Sequence, residues 1–431
     1  MGGLGAVEVG GLGEALHQDI YLAGVWVAAL EGTLEMADRM EDSEVLDAAT
    51  RIAPTAHRTL NNAYWREQDG HHAFGILAGG GTNDNLTVWP AAAAAFGVFD
   101  QLRARLTLRR IAGDRISSDW GAHMLSTESP LYHPLQYNMG TVWPFVTGFA
   151  SWGQYRYRRP WAGFHLMDAI KQMTFDFSLG RHGELFSGTF YEPLDQTVPH
   201  QFFATSMLVT PLLRGVFGWE PDAPNGRARL APQLPADWPE AAVRGLRAGA
   251  TTLDVEIVQE FGEGGGEQRV VIRGEGPPVE VDFVPDLPVG ATGMRVNVEG
   301  TKVEGRAGAG ARRRPGLAPL RVRVTEGQVV ELVATWEGGL TVAPPRIDLE
   351  PGQRSGGPRV IDLVAGDDGW LLTVEGNAGR EYDFALFGTA VDAEVVGGAA
   401  EVASDGNGGV RVRFSGDEGR VEARIHLTPK G

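Results

Sequence analysis

Apolar side chains recur at Leu22, Val25, Trp26, Ala29, Leu30, Leu34 and Met36, close to the 3.6-residue repeat of a helix with one buried face. The spacing predicts a helix over 20–40. A similar repeat runs through 44–65 to Tyr64 and Trp65, with Pro54 as a point of kinking or breakage. Further helices are predicted at 88–112, 142–157, 160–176 and 200–217. The intervening segments 66–87, 114–141 and 178–199 are long and rich in Gly, Asn, Asp and Trp. Long loops on a helical scaffold are where binding groups usually sit. From about residue 229 the period falls to two, in runs such as TTLDVEIVQ, QRVVIRG and VEVDFV separated by Gly- and Pro-rich turns. That pattern predicts antiparallel sheet, sandwich-like, to about 340. The segment APPRIDLEPGQRSGGP reads as a linker before a second β-rich stretch, 355–431. The fold class expected is multidomain α plus β, divided at 1–228, 229–340 and 355–431.

Composition sharpens that division. Eight of 11 Trp and nine of 10 His precede residue 229, so chemistry is expected in the helical part. The 431 residues amount to about three typical domains, and 43% hydrophobic with 22% charged residues excludes a disordered chain. A net charge of -17 disfavours nucleic acid and anionic membranes as partners. With no Cys, disulfides, thiolate metal sites and a Cys nucleophile are ruled out. No run of 18 apolar residues is present, and the N-terminus lacks the basic and apolar regions of a signal peptide. The chain opens inside an apparent loop leading straight into a helix, which suggests a piece of a longer protein.

Three segments carry candidate chemistry. In SSDWGAHMLSTESPLYHPLQYNMGTVWP, 117–144, the residues Asp119, Trp120, Tyr132, His133, Tyr137, Asn138 and Trp143 crowd a loop that runs into a helix. Flat aromatic faces beside hydrogen-bonding groups suit sugar rings; the alternative is that Tyr137 and Trp143 plug a helical core. In HGELFSGTFYEPLDQTVPHQ, 182–201, Glu184 lies among aromatics and small residues rather than on a charged helix face. Such a carboxylate suits a general base, or else binds local backbone amides. Glu192 and Asp195 follow closely and leave open which acid matters. In AVEVGGLGEALHQDIYLAGVW, 6–26, Glu8, Glu14 and Asp19 occupy a Gly-rich entry to the first helix, where Asp19 is also placed to act as an N-cap. Dinucleotide, phosphate-loop, zinc and nucleophile-elbow patterns are absent. Neither a metal nor a cofactor is expected.

These segments, in this order, resemble the six-hairpin (α/α)6-barrel glycoside hydrolases. Among these they are most similar to the amylo-α-1,6-glucosidase part of glycogen debranching enzyme and to mannosylglycerate-hydrolase-like glycosidases. The resemblance covers roughly 5–245 and rests on HQDIYLAGVWVAAL, SDWGAHMLS with YNMGTVWP, GELFSG with VPHQ, and GVFGWEPDAP with LAPQLPADW. It implies hydrolysis of an α-glucosidic or related oligosaccharide with inversion, by an acid and a base roughly 6.5–9.5 Å apart. By the resemblance Glu184 is the base. The family's acid is usually an Asp before the helix matching 19–38; here that region offers Glu8, taken as the acid, with Asp19 binding substrate. Trp120, Tyr137, Asn138, Trp143 and Gln201 match positions lining the sugar pocket. Twelve helices make a complete barrel, whereas six or seven are predicted here, so the expectation is a partial toroid from the C-terminal portion of a longer enzyme.

Two alternatives stay open. An inverting glycoside phosphorylase would need cations around phosphate and no base; Arg181 and His182 stand beside Glu184. A non-catalytic carbohydrate-binding protein would keep the aromatic loops and lack the acid. The substrate class is an oligosaccharide or glycoside in each case.

Overall fold

Helix α1, Ile20–Arg39, begins where the Asp19 carboxylate accepts the Leu22 N–H at 2.7 Å, and α2, Ser43–Ala63, begins with the equivalent bond from Val45 N–H to Asp42 at 3.1 Å. Both satisfy amide donors that a helix start leaves without internal partners. Helix α2 runs unbroken through Pro54. In this computed structural model the described residues are 10–177, 179–195, 197–298, 301–303 and 319–430. They form a mixed α and β structure of two compact units, one of 1–211 with 347–356 and one of 212–346 with 357–431.

The first unit holds seven helices among the described residues: α1, α2, α3 (Pro90–Phe96), α4 (Gln101–Ala112), α5 (Pro144–Arg156), α6 (Pro160–Asp176) and α7 (Phe202–Pro211). Proline opens α3, α5 and α6, where its missing N–H breaks no helical bond and its fixed φ suits the first turn. The expected 88–112 helix is two helices. Gly97 ends α3 in the left-handed region, φ 75°, its N–H capping the carbonyls of Ala93 and Ala94.

Alternate helices lie side by side. α1 packs on α3, α3 on α5 and α5 on α7, while α2 packs on α1, α4 on α3 and α5, and α6 on α5 and α7. Close approach comes from small residues. The five alanines of α3 are all buried, and a Cβ on Gly148 of α5 would stand 2.2 Å from Met207 Cβ of α7. One helix among the described residues, α1, is long and apolar enough to cross a membrane by length and composition, although it has no uninterrupted run of 18 apolar residues. Its Ile20, Ala23, Val27 and Leu30 are buried within the unit, and core helices pass the same test.

The second unit is built from β-strands. A six-stranded sheet takes 240–248, 251–262, 265–275, 329–337, 292–298 and 301–303 in that spatial order, every pair antiparallel. A four-stranded sheet pairs Val279–Phe283 parallel to Arg227–Leu230, and antiparallel sheets follow from Arg359 to Pro429. Alternating burial along Thr251–Gly262 matches the period of two.

Candidate functional site

Two loops of the first unit, the one leading into α5 and the one leading into α7, meet at one place and are stitched by isolated β-bridges. His123 pairs with Val142, Val142 with Phe186, and Phe186 with Pro193. Val142 and Phe186 exchange both backbone hydrogen bonds, at 2.9 and 2.8 Å. The glycines of the two loop motifs explain their close meeting. A Cβ on Gly188 would lie 2.2 Å from the Gly140 carbonyl oxygen and 2.5 Å from the Tyr132 hydroxyl, so only glycine fits. Burial pushes the Tyr132 phenol up to about 12; its hydroxyl stays protonated and donates to Gly188 O at 3.2 Å.

On this frame Glu184 is half-buried. Its Oε1 accepts the Tyr137 hydroxyl at 2.5 Å, and its Oε2 lies 3.4 Å from the Val198 N–H. Tyr137 meets Trp143 edge-on, with ring centroids 5.9 Å apart. The Trp143 indole N–H donates to Gln201 Oε1 at 2.7 Å, and Trp143 is the residue from which α5 starts. Glu184, Tyr137, Trp143 and Gln201 therefore form one connected group of half-buried side chains, with Asn138 buried beside them in sequence. An acceptor carboxylate, a phenol, an indole and an amide can bind a polyhydroxylated ring by directed hydrogen bonds and by contact with its C–H faces.

The other expected residues are placed differently. Trp120 has no accessible surface; its indole N–H donates to Ser187 O at 2.9 Å, and it packs with Val142, Phe186 and Tyr191. With no face open, it supports the Glu184 loop from below rather than presenting a stacking surface. Asp19 is fully buried as the α1 cap, so at least one of its oxygens is committed to the helix. Glu8 lies outside the described residues. Glu192 and Asp195 are exposed, and Glu14 is also exposed.

Residues not singled out from sequence complete the aromatic wall. Trp89 packs edge-on against Tyr21 at 5.3 Å and Trp143 at 6.3 Å, and its buried indole N–H meets no acceptor among the described residues. Phe145 lies 5.0 Å from Trp143. Tyr21 sits on the first turn of α1, and burial, with the Asp19 charge nearby, raises its phenol above the ordinary value. No local sequence pattern links Tyr21, within α1, to Trp89, which caps α3, so the sequence carried no signal for this pair.

His182 is 2% exposed and turned inward, with Nε2 2.9 Å from Thr174 Oγ1 and Nδ1 3.2 Å from Thr205 Oγ1. Burial lowers its pKa, partly opposed by the Ile170 carbonyl. It is a neutral tether between α6 and α7, and the Gln201 N–H bonds to its carbonyl at 2.9 Å.

No family model matches the chain, and no curated protein matches it. Among solved structures it is similar to a sialidase (12% identity, TM-score 0.48, 55% of this chain and 23% of that one). It is also similar to GH63 mannosylglycerate hydrolase from Thermus thermophilus (18% identity, TM-score 0.36, 44% of each chain). A third is a GH78 family rhamnosidase of Bacillus sp. GL1 (15% identity, TM-score 0.43, 67% of this chain and 28% of that one). The chain thus spans less than half the length of each, and likenesses at these TM-scores carry no argument about activity.

Proposed function

We propose that the chain is a glycoside hydrolase, or the portion of one, that acts with inversion on an α-glucosidic or related oligosaccharide. The observation that carries this reading is the 2.5 Å hydrogen bond from Tyr137 to Glu184 beside the Trp143–Gln201 pair. Glu184 is the general base: its carboxylate takes a proton from water as that water attacks the anomeric carbon, and the Tyr137 hydroxyl holds the carboxylate in place. Glu8 is the proposed acid that protonates the leaving oxygen. Trp143, Tyr137, Asn138 and Gln201 contact the sugar, Trp120 underpins the loop, and Asp19 orders the start of α1 next to the Tyr21–Trp89 wall. The side-by-side succession α1, α3, α5, α7, backed by α2, α4 and α6, supports the reading of a partial (α/α)6 toroid. The β-domains at 229–340 and 355–431 belong to the same proposal.

The presence of Glu184 favours water over phosphate as the nucleophile, since phosphorolysis needs no base. The test is reducing-sugar release from maltooligosaccharides, α-linked glucose disaccharides and mannosylglycerate, with and without phosphate. Release without phosphate is expected, with a fall of about 100-fold or more in Glu184→Gln. Turnover unchanged in that variant rejects Glu184 as the base; sugar binding with no turnover in the parent identifies a lectin-like protein instead.

A further inference from the structure

The Pro- and Gly-rich segment 347–356 is part of the helical unit, although β-strands precede and follow it in the chain. Four kinds of contact hold it there. The Gln172 side chain of α6 donates to Ile347 O at 2.8 Å and accepts the Leu349 N–H at 2.9 Å, so one amide group serves as a strand partner. Leu349, 8% exposed, enters the same apolar cluster as Trp120, Val142, Phe186 and Tyr191. The backbone of Tyr191 pairs with the segment in both directions, Tyr191 N–H to Gln353 O at 2.9 Å and Gly352 N–H to Tyr191 O at 2.8 Å. The Asp119 carboxylate, buried, accepts the Gly356 N–H at 2.7 Å, and its own N–H donates to Ser355 Oγ at 3.2 Å. Arg354 lies over the Phe190 ring, 4.6 Å from its centroid.

Every one of these contacts falls on α6 or on the two loops that meet at Glu184. Tyr191 stacks on Phe186 with ring centroids 5.9 Å apart and planes 12° from parallel. Phe186 is two residues from Glu184, and the turn between them closes through Leu194 N–H to Leu185 O at 3.1 Å and Ser187 N–H to Glu192 O at 2.9 Å. The base of this turn is buried at Leu185, Phe186, Ser187 and Tyr191, whereas its tip is exposed at Phe190 and Glu192. The segment adds contacts at that tip, through the Tyr191 backbone and the Phe190 ring.

We propose that residues 347–356 are a clamp that sets the register of the Glu184 turn, with Gln172 and Asp119 as positioning residues. The catalytic part of this inference rests on Glu184 being the base; the mechanical part does not. The six hydrogen bonds to Gln172, Tyr191 and Asp119 and the burial of Leu349 are lost together if the clamp lifts, and the turn then samples geometries displaced from the productive one, at a cost to turnover rather than to substrate binding.

The experiment is hydrogen exchange on the full chain, comparing the parent with Gln172→Met, which keeps the helix and the side-chain length but removes both bonds. Peptides covering 347–356 and 184–194 are expected to exchange at least about tenfold faster together, while those of α1 keep the parental rate. In steady-state assays kcat falls about ten- to a hundredfold with KM within about twofold. If Gln172→Met does not fold, Ser355→Ala is read in the same way. Faster exchange in 347–356 with 184–194 unchanged overturns the clamp, and so does an unchanged rate in both. A parent with no turnover rejects the base assignment alone, because the exchange experiment still decides the clamp.

Discussion

Protonation of His72 gives a sharp test of how the helical unit is packed. The ring has no accessible surface, stacks on Phe99 at 3.9 Å and 9°, meets Trp65 edge-on at 5.2 Å, and places Nδ1 2.8 Å from Thr107 Oγ1. Its Nε2 has no partner among the described residues. Burial, with the positive charge of Arg103 and neighbouring His71 adding to it, lowers its pKa from 6.5 to about 3. Unfolded, the imidazole protonates near its ordinary value; folded, it does so only near the lower one. Between those two the unfolded chain holds the extra proton, so stability is complete above about pH 6.5 and falls as the pH falls, by about 1.4 kcal/mol per unit. From pH 6.5 to 5 this one group removes about 2 kcal/mol. The assay is urea unfolding at pH 7, 6 and 5, followed by tryptophan fluorescence, which reports chiefly on the helical unit because seven of the 11 Trp lie in it. His72→Gln is less stable than the parent at pH 7 and loses less stability than the parent toward pH 5, by about the same 2 kcal/mol. Parallel losses in the two proteins would refute the claim that the folded unit holds His72 neutral.

Two other substitutions probe the site and the helix contacts. Tyr137→Phe removes the hydroxyl that Glu184 accepts; a hydrogen bond to a charged group contributes about 1.5–3 kcal/mol, so kcat/KM drops on the order of 10- to 100-fold while the thermal midpoint moves little. Equal kcat/KM in the two proteins would detach Tyr137 from the mechanism. Gly148→Ala gains about 1 kcal/mol of helix propensity but places a methyl against Met207 Cβ and carbonyl oxygen, at 2.2 and 2.6 Å, an overpacking cost of about 1–3 kcal/mol. The clash with the α7 backbone outweighs the gain in propensity, so the urea midpoint falls; a rise would show that α5 and α7 separate easily.

What could be read from the chain follows the range of the forces involved. Helix α6, expected at 160–176, spans Pro160–Asp176, because Pro160 at the start and a continuous apolar face are local signals. The expected helix at 88–112 divides because the left-handed turn at Gly97 lets α3 and α4 separate, and a single Gly within an alanine-rich run does not announce such a turn. Proline at position 54 signals a break that packing overrides. The aromatic loop around Tyr137 and Trp143 was legible through composition, and the structure joins those two residues to Glu184 and Gln201. Trp120 illustrates the limit of composition: the same residue type that suits a sugar face also fills a core, and only its zero exposure separates the two roles.

The loop framework itself was out of reach for a stronger reason. Its bridges, His123–Val142, Val142–Phe186 and Phe186–Pro193, are single residue pairings, too short to impose a period of two on any of the segments they join. The 347–356 segment carries an opposing local signal, since its Pro and Gly content reads as a spacer. Its only large aliphatic residues, Ile347 and Leu349, are two apart and pack against the cluster that contains Trp120 and Phe186. Two leucine-sized side chains cannot form a core alone; they contribute only by adding to one that another segment has begun. A linker that commits its hydrogen bonds to Gln172, Asp119 and Tyr191 loses conformational freedom that a spacer would keep. That loss is offset by the hydrogen bonds to Tyr191 and by the packing of Leu349 in the cluster of Phe186 and Tyr191, in the loop that carries Glu184, which is the physical reason to expect the segment and the turn to open together.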